Sequence, residues 1–92
     1  MAPVIRFMPE WQCWPTWDHD AGEPIDPGEL GLPPELVARL LAWDDQFQSI
    51  FNADYPPDSA FPTPAAEAAW RAEGDVLIDA LRAAGFAVVD RR

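Results

Sequence analysis

Apolar positions change their period along this chain. Val4 to Met8 is short, β-branched and aromatic, bounded by Pro3 and Pro9, and predicts a strand. Alternation puts Ile5 and Phe7 on one face and Val4, Arg6 and Met8 on the other. A connector rich in Trp, Pro, Gly and acids follows from Glu10 to Pro33. Connectors beyond ~12–15 residues without structure are uncommon in compact domains unless they have a role, and a short strand near Gln12 to Trp14 would shorten this one. From Pro34 to about Asn52 the period becomes helical. Leu36, Leu40, Trp43, Phe47, Ile50 and Phe51 form a stripe that Val37 and Leu41 widen, with Ala38, Ala42, Asp45 and Ser49 opposite. Pro34 suits a first turn and Glu35 complements the helix dipole. Tyr55-Pro56-Pro57-Asp58 is a clear break.

A second helix is signalled by Thr63 as N-cap, Pro64 as first residue and Glu67 in the first turn. Its stripe is Ala66, Trp70, Leu77, Leu81 and Ala84; Glu67, Arg71, Asp75, Asp79 and Arg82 take the other face. Gly74 in mid-helix costs ~1 kcal/mol relative to Ala, which points to a close helix–helix approach beside Trp70. Gly85 stops the helix, Phe86 folds back onto its end, and Phe86 to Val89 predicts another strand. The fold class is therefore α+β: a helical hairpin on a two- or three-stranded sheet, in the order β-α-α-β. The short, Pro-rich connector makes the helices antiparallel neighbours. The first and last strands are expected in one sheet, antiparallel.

Composition narrows the function. Ninety-two residues suit a single domain spanning 1–92, and 49% hydrophobic content with five Trp and five Phe argues against disorder despite eleven Pro. Sixteen acids face six bases, all Arg, for a net charge of −10. Such an anion repels nucleic acid and acidic lipid, so direct binding to nucleic acid or a membrane surface is not expected. Residues 10–58 hold eleven acids against Arg39 alone, which is the whole net charge; the remainder balances. A basic protein partner is the complementary expectation, with a solubility role as the plainer one. The lone Cys13 excludes an internal disulfide, and the N-terminus lacks both a basic leader and a long apolar run, so a cytoplasmic location is expected.

Candidate chemistry is sparse. Cys13 beside Asp18, His19 and Asp20 has metal-ligand types, but no second His supports a tetrahedral site. Cys13 with His19 as a nucleophile pair has no identifiable orienting group or oxyanion hole. Asp44 and Glu73 fall inside the apolar arcs of their helices, where an unpaired carboxylate would have a raised pKa, as general acid–base groups do. The plainer reading pairs them with Arg6, Arg39 or Arg82. Neither cofactor nor metal is expected. In the Trp-rich run, Trp14 and Trp17 are expected in the core and more buried than Trp11.

Three runs carry a resemblance: FMPEWQCWPTWD, IDPGELGLPPELVARLLAWDDQFQSIFN and AAWRAEGDVLIDALRAAG. They resemble a group of small acidic bacterial proteins similar to the immunity proteins of toxin–immunity pairs. The shared motifs are packing residues and identify no chemistry. The resemblance implies a non-enzymatic protein-binding module, in its most concrete form an inhibitor of a basic partner such as a nuclease toxin. Trp11, Trp17, Asp18, Asp20, Glu23, Asp26, Glu29 and Asp45 are the expected partner-binding residues. The rivals are a nucleic-acid mimic that binds a DNA-binding protein, a small enzyme or metal protein using Asp44 and Glu73 or Cys13 and His19, and a structural subunit with an aromatic oligomer interface.

Overall fold

Steric punctuation by Pro and Gly divides the chain into short elements, which a computed structural model describes for residues 3–52, 54–55 and 59–92. Three strands come first: β1 (Ile5–Phe7), β2 (Thr16–Asp18) and β3 (Glu23–Ile25). A 3₁₀ turn over Pro27–Glu29 leads to α1 (Pro34–Ser49), α2 (Pro64–Ala83) and β4 (Val88–Asp90). The sheet has four strands in the order β3-β2-β1-β4. It is larger than the sequence predicts because the Trp-rich connector supplies two strands. The strand expected at Gln12 to Trp14 lies instead at Thr16 to Asp18. Gln12 has φ 61°, a left-handed turn conformation that cannot continue a strand.

β4 also departs from expectation, since it runs parallel to β1, with Ile5 opposite Val88. The amide of Ile5 donates to the carbonyl of Ala87 at 2.8 Å, so the chain leaving α2 enters the sheet at the end where β1 begins. From there it can only run alongside. Gly85, at φ 102°, makes this turn, and the Phe86 amide returns to the Leu81 carbonyl at 3.2 Å. The break after α1 includes Pro56, Pro57 and Asp58, which lie outside the described residues.

The helices are antiparallel, since Arg39 meets Glu73 whereas Trp43, four residues later, meets Trp70. The Trp43 and Trp70 rings stack with centroids 4.3 Å apart and planes 7° apart. Each indole Nε1 donates to the other residue's carbonyl oxygen, at 2.8 and 3.0 Å. Ile5, Phe7, Leu40, Leu77, Ile78 and Leu81 complete the core around this pair. Thr63 caps α2 by accepting the Ala66 amide at 3.0 Å. Gly74 marks the expected close approach of the helices: a Cβ there would lie 3.2 Å from the ring of Trp43, which stacks on Trp70, and 2.5 Å from the Arg92 guanidinium. Arg92 uses that space to reach Asp75, Asp90 and the carbonyl of Arg71.

The Trp-rich loop corrects a second expectation. Pro15 and Thr16 take the buried positions, and Trp14 is turned outward with 42% of its surface exposed. Trp17 is half-buried, its Nε1 donating to the Met8 carbonyl at 2.9 Å. Trp11 stacks on Phe47 with centroids 4.1 Å apart, so it is the better packed of the loop's outer pair. Trp14→Ala is therefore expected to lower stability by less than ~1 kcal/mol, as surface substitutions do; a thermal melt checks this. Among the described residues no helix is long and apolar enough to cross a membrane.

Candidate functional site

The loop between β1 and β2 is held against α1 by one side chain. Gln48 accepts the Gln12 amide at 2.8 Å, and its Nε2 donates to the Glu10 carbonyl at 2.8 Å. One helical turn earlier on the same face stands Asp44, whose Oδ1 accepts from Gln48 Nε2 at 3.3 Å. The pinned loop thus overhangs Asp44. Between them opens a pocket of about 380 Å³, lined by Gln12, Cys13, Trp14, Pro24 and Asp44.

Asp44 is an unusual floor for it. The residue is 7% exposed. Its second oxygen, Oδ2, accepts no hydrogen bond among the described residues, yet no fully buried polar side-chain atom there lacks a partner. Oδ2 is therefore not fully sealed from solvent, and Asp44 is one of the residues that line the pocket. Burial pushes the carboxyl up to about 6, the Gln48 hydrogen bond opposes the rise and the Asp45 charge adds to it. A folded pKa raised from the ordinary 3.8 means the folded state holds this proton more tightly than the unfolded chain. The stability Asp44 contributes is then full below pH ~4 and is lost as pH rises through ~6. Asp44→Asn should raise stability at pH 8 by about 1–2 kcal/mol and flatten its change between pH 4 and 7. Denaturant melts across that range read both effects.

The acids picked out by the sequence lie mainly around the β2–β3 hairpin. Asp18 and Glu23 are register partners, and Asp20 is exposed at the tip. Asp18 also shapes the turn, its Oδ1 accepting the amides of Asp20 and Ala21, both at 3.0 Å. At the other end of β3, Asp26 caps the 3₁₀ turn through the Gly28 amide at 2.9 Å, and Glu29 is exposed. Asp45 is exposed on α1 beside the Asp44 pocket. The single Arg of this stretch does not offset them, because Arg39 is engaged by both oxygens of Glu73 at 3.1 and 2.6 Å. Arg6, on the outer sheet face opposite Trp17, brings one positive charge near the hairpin.

Of the two expected anchors, Trp11 is occupied by Phe47 and Phe51, while Trp17 keeps a partly open face beside its register partner Pro24. Trp14 is the outward-facing indole that sequence reasoning assigned to the core. Gln48 was also passed over, although its i,i+4 spacing from Asp44 was visible in the sequence. The enzyme and metal candidates are not assembled. Cys13 precedes β2 and His19 follows it, with the whole strand between them. His19 Nδ1 accepts from Arg6 Nε at 3.1 Å instead. Glu73 serves the ion pair with Arg39, as the plainer reading has it. Among the described residues no three His, Cys, Asp or Glu side chains come together as a metal site.

A second groove, of about 450 Å³, lies between the helices and the segment before α2, walled by Trp11, Phe47, Phe61 and Trp70. It is aromatic, and much of its wall is core packing.

Comparison with known sequences adds one relationship. The model of a family described as Serratia CdiI immunity protein-like matches residues 3–85. None of the curated proteins compared matches the chain.

Proposed function

The chain belongs to the Serratia CdiI immunity protein-like family, and from that premise we propose that it is a non-enzymatic inhibitor which binds and neutralises a basic toxin in the cytoplasm. One observation carries the basic character of the partner. The stretch that builds the β2–β3 hairpin and α1 holds all of the net negative charge, and its lone Arg39 is committed to Glu73. A toxin that cleaves nucleic acid needs a positive surface to hold its substrate, and an acidic inhibitor complements that surface. Asp20, Glu23, Glu29 and Asp45 supply the field, with Asp18 and Asp26 adding charge while they shape the backbone. Trp14, together with the partly open Trp17, supplies apolar contact in place of Trp11.

Expressing the chain in cells that carry the paired toxin domain tests this reading. Growth should be restored, and the two proteins should co-purify at low salt. Cells that die at the same rate with and without the chain would exclude it.

A further inference from the structure

Asp44 has a structure that stability alone does not account for. A carboxylate this buried, with one oxygen unpartnered among the described residues, opposes folding at neutral pH, and a hydrophobic residue would suit its position on the apolar arc of α1. It lines an open pocket together with the exposed Trp14 and with Pro24. The loop that forms the rim is fixed by Gln48, the residue that also touches Asp44. Residues that lower stability while facing solvent-accessible space are characteristic of binding sites.

We propose that this pocket is a socket for one Lys or Arg side chain of the basic partner, with Asp44 Oδ2 as the charge acceptor and Trp14 as the wall against which the cation packs. The proposal rests on the toxin-inhibitor reading and deepens it by naming the chemistry of the anchor. Three features select a cation. The free oxygen is an acceptor only, the indole face attracts positive charge, and no Lys, Arg or His lines the pocket to compete. Trp14 and Pro24 in the lining favour a partly desolvated pair over a fully hydrated one. A desolvated pair acts on how long a complex lasts, whereas exposed rim charges act on how fast it forms.

Cys13 is the other titratable residue in the pocket lining; Asp45 adjoins Asp44 on α1, Glu23 adjoins Pro24 on β3, and Glu10 lies on the loop that Gln48 holds. Inserting a cation would draw the Asp44 carboxyl down from about 6. Binding to the partner should therefore weaken as pH falls below 6, through protonation of Asp44. His19 also lies in the hairpin, so His19→Gln is the control.

The experiment measures binding of the purified toxin domain to the parent chain, Asp44→Asn, Trp14→Ala and His19→Gln, with association and dissociation resolved, at pH 5.5 and 7.5. The Asn variant should dissociate at least ~30-fold faster than the parent at pH 7.5, with little change in association rate. Its dissociation should no longer depend on pH, whereas His19→Gln should keep the parent's dependence. Trp14→Ala should speed dissociation roughly tenfold. A folded Asp44→Asn chain that dissociates at the parental rate overturns the socket but leaves the inhibitor reading standing, because the parent still binds. A parent chain that does not bind at all removes both.

Discussion

Trp43→Ala is expected to remove a fifth or more of the domain's stability. Truncating a buried Trp costs ~3–5 kcal/mol, against a total of about 5–14 kcal/mol for a domain of this length. Trp43 is 1% exposed, stacks on Trp70 and tilts against Phe7 with centroids 4.7 Å apart. Its Nε1 holds the Trp70 carbonyl, which would be left without that partner inside the core. Melting followed by circular dichroism should show the midpoint falling by roughly 15–30 °C. Trp43→Phe keeps a ring but not the donor, and should cost ~1–3 kcal/mol. A drop of under ~5 °C for the alanine variant would mean that the cross-braced pair does not hold the helices together.

Reversing three exposed acids to Lys should slow association with the toxin at least tenfold at low salt. The set chosen is Asp20, Glu23 and Glu29, because their carboxylates make no hydrogen bond among the described residues, whereas Asp18 and Asp26 shape their turns. Electrostatic steering spans ~10–1000-fold in rate. Dissociation should change far less, since rim charges are hydrated on both sides of the reaction. As the Debye length contracts from ~10 Å at 0.1 M salt to ~3 Å at 1 M, the difference from the parent should close. Asp79→Lys on α2 is the control, Asp75 being unsuitable because it holds Arg92. Stopped-flow mixing across a salt series measures these rates. Equal rates for parent and triple variant would reduce the acidic surface to a solubility feature.

Local signals carried most of the helical architecture. Thr63, Pro64 and Gly85 bound α2 as their chemistry requires, and the helical wheel alone places Asp44 inside the apolar stripe of α1, where it is buried. The Arg39–Glu73 pair was one of three partners open to those carboxylates, selected by the antiparallel packing. The sheet was less legible because each strand is three residues long, too short to display alternation. The direction of β4 depends on where α2 delivers the chain, a tertiary fact with no local trace. Trp14 was misplaced because hydrophobicity argues for burial without saying which of several neighbouring aromatics the core can hold. Here Pro15 and Thr16 fill the space, and Trp14 is left to the solvent and to the pocket. That same misreading concealed the pocket, which needs the Trp14 position and the Gln48 pin to be known together.

On this reading the chain neutralises a toxin by binding it through an acidic surface. Titrating the activity of the purified toxin domain with purified chain, in low salt, tests it most directly. Activity should fall linearly and disappear at equimolar chain, and return in part when salt is raised to 1 M. Toxin activity that persists undiminished in excess chain at low salt would contradict it.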